Sequence, residues 1–210
     1  MVAGADASIG AILDKLREMN LRERTLVFLA SDHGAPALSR REEGGGSNAP
    51  YREFKRSLFD GGIHVPGIVS WPGRIPEGQV RGQLTSMMDL LPTVAEAIEA
   101  PLPRGVTIDG RSWWPILRDP GAPGHERLFF EWADQHAVRE GRWKLVENAF
   151  VNQADHRDNR ATADEAVFLS DLEADPGERH NLRDRHPERA RELTRAHREW
   201  LKGGTGDRKN

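Results

Sequence analysis

Thr25-Leu26-Val27-Phe28-Leu29-Ala30, stopping abruptly at Ser31-Asp32-His33-Gly34, is the stretch on which the fold turns. An apolar run without polar alternation reads as a strand buried on both faces, the pattern of a central strand in a parallel α/β sheet. Asp32 and His33 then stand at its carboxyl end, where open α/β sheets place their ligands. A carboxylate beside an imidazole is a natural pair of metal ligands or acid/base groups. Read without context, the same Asp-His-Gly is equally a turn whose aspartate caps backbone amides.

Upstream, Ile9, Ile12, Leu13, Leu16 and Met19 fall at helical spacing, with Asp14, Lys15, Arg17 and Glu18 on the other face and Asn20 as a stop. Residues 6–31 therefore read as the second half of a βαβ unit whose first strand is missing, so Met1 looks like the middle of a domain. Downstream, residues 34–50 are loop-like, with Gly44-Gly45-Gly46 and a charged run from Arg40 to Glu43. A second buried strand is expected from His64 to Trp71, and a helix from Asp89 to Ala100 with Asp89 as its N-cap and Pro92 in the first turn.

After Pro101 the character changes. Short segments at Leu128 to Trp132, Ala137 to Arg139, Trp143 to Val146 and Val167 to Leu169 predict a small antiparallel sheet, with a two-residue hairpin at Glu140-Gly141. A helix from Pro187 to Lys202 carries Ala190, Leu193, His197, Trp200 and Leu201 on one face and is expected to pack on that sheet. The polar segment from Asn152 to Asp164 reads as an exposed loop. Trp143, Trp200 and the Trp113-Trp114 pair are most simply core or interface aromatics.

Composition sets outer bounds. The 210 residues hold 30 Lys and Arg against 33 Asp and Glu, a net charge of -3 that favours neither nucleic acid nor an anionic membrane surface. No stretch approaches the roughly 20 apolar residues of a membrane span. The absence of cysteine excludes disulfides, thiolate metal sites and a cysteine nucleophile within this chain. No basic-then-apolar export signal opens the sequence.

Several motifs occur in one order. Ser31-Asp32-His33-Gly34 is followed by the run Tyr51-Arg52-Glu53-Phe54-Lys55-Arg56-Ser57-Leu58-Phe59-Asp60-Gly61-Gly62-Ile63-His64-Val65-Pro66 and then Trp71-Pro72-Gly73. Further on come Asp89-Leu90-Leu91-Pro92-Thr93, Asp109-Gly110, Gly141-Arg142-Trp143-Lys144-Leu145 and the run from Leu169 to Glu178. Together they resemble the second half of a type I sulfatase over nearly the whole chain.

That resemblance implies an α/β fold: part of an alkaline-phosphatase-like mixed or parallel sheet core, plus a small C-terminal antiparallel sheet with a packed helix. It divides the chain into residues 1–125, the C-terminal part of the catalytic domain, and 126–210, the sheet-and-helix subdomain. It implies a sulfuric ester hydrolase acting on aryl or carbohydrate sulfate esters at a divalent cation, usually calcium. By position, Asp32 and His33 match metal ligands and Lys55 matches the lysine that contacts the sulfate. Calcium prefers oxygen donors, so Asp32 suits it and the imidazole suits other divalent cations better. A lysine is a point charge with three donors, apt for an oxyanion whose charge moves to the leaving oxygen. His64 occupies a slot where the family more often has arginine and is a secondary substrate-binding candidate. Arg52 is another, with a structural ion pair as the competing reading.

Sulfatases carry a formylglycine nucleophile made from cysteine or serine within Cys/Ser-x-Pro-x-Arg, upstream of the Asp-His strand. The formal match Ser70-Trp71-Pro72-Gly73-Arg74 comes after Lys55 and falls where the family has a Trp-Pro-Gly turn, so it reads as a decoy. The nucleophile is thus expected upstream, and this chain alone is expected to be inactive. Periplasmic or secreted location is implied for a full-length relative. A phosphonate or phosphate ester hydrolase of the same superfamily and a non-catalytic remnant are the alternatives.

Overall fold

A computed structural model describes residues 2–36, 46–149 and 165–204. Residues 37–45 of the expected loop at 34–50, and all of that from Asn152 to Asp164, lie outside the described residues. The chain forms two compact units, Met1–Ala30 with Pro66–His125, and Ser31–Val65 with Glu126–Asn210.

In the first unit, helix α1 spans Val2–Glu18. Its stripe is only half covered: Ile9, Leu13 and Leu16 are partly buried while Ile12 and Met19 stand exposed. Strand β1, Val27–Ala30, pairs antiparallel with a strand at Gly67–Ser70, joining Val27 to Ser70 and Ala30 to Gly67. The expectation of a strand flanked on both faces within a parallel sheet is corrected for this chain. With one neighbour among the described residues, β1 keeps Leu29 exposed, and Ile68 opposite it likewise.

Asp89 stands at the expected N-cap position of the helix that follows it, but its side chain does not cap that helix. A 3-10 turn at Met87–Asp89 leads into a helix at Leu90–Ala97, and no side-chain bond from Asp89 caps that helix. Its carboxylate instead accepts from the Ser86 and Arg111 amides, each at 2.8 Å, from Trp113 Nε1 at 3.1 Å, and pairs with His125 Nε2 at 2.7 Å. Thr93 Oγ1 takes the Trp113 amide and the Thr93 carbonyl takes Trp114 Nε1, which anchors both buried tryptophans. A short helix at Trp114–Arg118 ends this core.

The second unit is built on a four-stranded antiparallel meander. Its strands, numbered after the pair β1 and β2 (Gly67–Ser70), are β3 Arg127–Trp132, β4 Gln135–Glu140, β5 Trp143–Glu147 and β6 Val167–Asp171. The β4–β5 turn is Gly141-Arg142, one residue beyond the expected position, since Glu140 pairs with Trp143. Gly141 adopts φ 56°, a conformation glycine enters without steric cost. Alternation along the strands divides the core. One face joins Ala137, Val146 and Phe168 to Leu58 and Phe59; the other joins Val138, Leu145 and Leu169 to Ala190 and Leu193. The latter two lie on the long C-terminal helix Pro187–Gly204, which packs on the sheet as its apolar stripe predicts. Among the described residues, no helix is long and apolar enough to cross a membrane.

Candidate functional site

Every sequence-predicted site residue lies in the second unit, on two stretches of backbone that are stitched together. The Gly34 amide donates to the Gly62 carbonyl at 3.0 Å, and the Lys55 amide to the Ala35 carbonyl at 3.0 Å. Asn48 locks the join: its Oδ1 accepts from the Ala35 amide at 2.7 Å while its Nδ2 donates to the carbonyls of Ala35 and Glu53. The approach is so close that a Cβ on Gly34 would sit 1.7 Å from the Gly61 oxygen, and one on Gly61 would sit 2.1 Å from the Glu53 oxygen. Side chains at these positions are excluded by backbone, which explains the glycines in both motifs.

Lys55 is exposed and lies between two residues in the left-handed region, Glu53 at φ 68° and Arg56 at φ 81°. Non-glycine residues held there cost about 1–3 kcal/mol each and persist where the surroundings over-determine them. Here those surroundings include buried Gln135, which donates to the Arg56 carbonyl at 2.8 Å and accepts from the Leu58 amide.

Asp32 is 80% exposed, and its Oδ2 lies 2.8 Å from His33 Nε2. His33 Nδ1 contacts the Gly34 carbonyl at 2.8 Å. A carbonyl only accepts, so Nδ1 carries the proton, and in the neutral ring Nε2 turns a lone pair toward the carboxylate. Two donors converging in this way can share a proton or a cation. His64 stacks on Tyr51 with centroids 4.2 Å apart and pairs through Nδ1 with Asp60 at 3.2 Å. The Arg52 guanidinium sits 4.1 Å over the Phe59 ring, bonding the Glu178 carbonyl and the Glu165 carboxylate.

What sequence reasoning missed is the charge cluster beneath these loops. Lys144 is fully buried, with Nζ 2.5 Å from Asp60 Oδ1 and 3.2 Å from Glu178 Oε1. Glu178 Oε2 accepts the Asp60 amide at 2.6 Å. Burial alone would push the Asp60 carboxyl up, but Lys144, with His64 and Arg139, holds it well below the usual carboxylate range. Glu178 goes the other way, raised by burial and by the Asp60 charge against the pull of Lys144. Three motifs far apart in sequence thus meet in one buried triad at the root of the Lys55 and His64 loop. The available signal was a lysine at an inward position of an otherwise apolar strand.

Residues 1–100 match the family model described as Sulfatase, and residues 51–202 the one described as N-sulphoglucosamine sulphohydrolase, C-terminal. Arylsulfatase A of Bos taurus is 35% identical over 205 residues, covering 91% of this chain and 40% of that protein. Steryl-sulfatase of Mus musculus is 34% identical over 94% of this chain and 36% of its own length. The chain therefore spans two fifths or less of these curated relatives. A solved structure from Bacteroides thetaiotaomicron, reported with the metabolism of multiple glycosaminoglycans, superposes with a TM-score of 0.74 at 26% identity, over 95% of this chain and 42% of its own. A structure solved with its substrate D-glucosamine-2-N,6-O-disulfate shares the fold, with a TM-score of 0.70 at 20% identity, over 100% of this chain and 41% of its own.

Proposed function

The chain belongs to the sulfatase family, and on that premise we propose that it serves sulfate ester hydrolysis, contributing the cation-side and sulfate-side contacts. The observation that carries this reading is the hydrogen-bonded join between the Asp32-His33 stretch and the Lys55 stretch. It ties the backbone of a cation-binding pair to that of an exposed ammonium group.

Lys55 is the proposed sulfate clamp and the one catalytic group assigned to this chain. As the S–O bond breaks, negative charge gathers on the leaving oxygen, and an ammonium preorganised nearby favours that state over the ground state. The strained backbone on either side holds its position before substrate arrives. Asp32 and His33 would hold a divalent cation, calcium or another, their donor set fitting it through one carboxylate and one imidazole lone pair. When bound, such an ion acts as a Lewis acid toward sulfate oxygens. The nucleophile is assigned to the family's formylglycine and to no residue of this chain. Ser70 supports that division: its hydroxyl is taken by Arg22 at the end of β2. His64 and Arg52, held by Asp60 and by the Phe59 and Phe168 rings, are proposed to shape the loop rather than to bind sulfate.

Sulfated carbohydrates and aryl sulfates are the proposed substrates, the former supported by the sulfated glucosamine bound to one structural relative. The test is turnover of an aryl sulfate by the protein in its natural full-length form. Lys55→Ala is expected to lower kcat/KM by about 10²–10³ without unfolding the protein. An unchanged rate overturns the role of Lys55, and faster turnover of the matching phosphate ester overturns the sulfatase reading.

A further inference from the structure

A second constellation lies elsewhere in the same unit, where the β3–β4 hairpin meets the C-terminal helix. Glu131 and His136 are directly opposed in the strand register, so their side chains share one face of the sheet. His197, on the helix at Pro187–Gly204, lies against the same place, its ring centroid 4.6 Å from that of His136. Glu131 Oε1 is 3.5 Å from His136 Nδ1 and 3.4 Å from His197 Nε2, and all three donor atoms lie within 4.8 Å of one another.

Two independent observations give this arrangement meaning. First, His136 Nδ1 and His197 Nε2 are both buried and make no hydrogen bond, although the His197 residue is only 2% exposed. Buried polar atoms are nearly always paired, and an unmade bond costs about 1–3 kcal/mol. Second, the two distances from Glu131 are long for hydrogen bonds and right for shared coordination. N–H···O bonds run about 2.7–3.2 Å. Donors bound tetrahedrally to one zinc ion, at bond lengths of about 2.0–2.2 Å, stand about 3.3–3.6 Å apart.

We propose that Glu131, His136 and His197 form a binding site for a divalent transition-metal ion, zinc by donor type, that pins the C-terminal helix to the β3–β4 hairpin. Two imidazoles and one carboxylate are a three-residue zinc set that leaves the fourth position to water. Imidazole selects zinc, copper and nickel over calcium and magnesium, which prefer oxygen. Neutral imidazole is the form that ligates, and burial together with the neighbouring His136 favours that form of His197 against the opposing pull of Glu131 and Glu147. Phe129, stacked on Trp200 at 5.0 Å and tilted toward His197, supplies an apolar flank. The site requires nothing of Asp32, His33 or Lys55.

The experiment is calorimetric titration of the whole chain with zinc ion alone, repeated on variants, with cobalt substitution as a spectroscopic check. Wild type and the double variant Asp32→Ala, His33→Ala are both expected to take up one zinc at this site. Glu131→Gln, His136→Ala and His197→Gln are each expected to weaken uptake beyond the roughly 10–100-fold that a lost outer-shell partner costs. Glu131→Gln changes a side chain at the protein surface and keeps the fold, so its loss of zinc cannot be ascribed to unfolding. Zinc should raise the Tm of the wild type and not that of Glu131→Gln. Cobalt should give the intense visible absorption of a four-coordinate ion. No uptake by the wild type, uptake that survives Glu131→Gln and His136→Ala, or uptake that vanishes with the Asp32 and His33 double variant overturns the proposal.

Discussion

The two units of the molecule treat apolar surface in opposite ways. Among the described residues, the large apolar side chains that stand exposed are almost all in the first unit, from Ile12 and Ile68 to Ile98 and Val106; Trp132 alone belongs to the second. The second unit covers both faces of its sheet, one with the loop carrying Leu58 and Phe59 and the other with the C-terminal helix. It also buries charge, placing Asp60, Lys144 and Glu178 out of solvent. The contrast teaches where specificity lies. The first unit is held by a few tryptophans and one many-handed aspartate, whereas the second has a closed core in which an ion cluster fixes the loop proposed to contact sulfate.

The hardest test of this contrast is Lys144→Met. It leaves two buried carboxylates facing each other and is expected to cost about 3–5 kcal/mol, read by urea denaturation; a loss below 1 kcal/mol would mean that the cluster does not hold the unit together. Next comes Leu193→Ala, which empties a fully buried site on the helix and is expected to cost about 2–5 kcal/mol.

A smaller effect separates the two carboxylates by pH. Asp60 is depressed, so the stability it contributes is full above its unfolded value of 3.8 and is lost as pH falls below that. Glu178 is raised, so its contribution is full below its unfolded value of 4.5 and is lost as pH rises through the folded value. Asp60→Asn is therefore expected to flatten the acid limb of the pH–stability curve. Glu178→Gln should improve relative to wild type as pH rises above 4.5; parallel curves for both variants would break the assignment. Smallest of all, Ile98→Ser in the first unit should change stability by no more than about 0.5 kcal/mol while reducing binding of a hydrophobic dye.

Legibility in the sequence follows the range of the interactions. The C-terminal helix and the four strands of the meander were readable from local signals, helical spacing in Ala190, Leu193 and His197 and short segments separated by turn residues in the meander. The hairpin turn was misplaced by a single residue because Gly141 signals a turn without fixing the strand register. The antiparallel partner of β1 was not legible, since a run such as Val27–Ala30 looks alike in either orientation. The Asp89 side chain was misread as a cap because its Arg111, Trp113 and His125 partners lie 22 to 36 residues away. The candidate residues Asp32, His33 and Lys55 came from motif resemblance. Their supports, Asn48, Gln135 and the Lys144 cluster, carry no local signature, nor does the trio Glu131, His136 and His197.

The buried triad has a kinetic corollary. Asp60 meets Lys144 across 84 residues and Glu178 across 118, among the longest loop closures in the chain. Closing such loops is entropically costly and comes before the contacts that reward it, so folds rich in them form slowly. On a ribosome adding roughly 5–20 residues per second, the stretch bearing Asp32 and Lys55 emerges several seconds before the lysine and glutamate that anchor it. The exposed loop proposed to contact sulfate is thus made before its anchors and is among the last segments to acquire its shape.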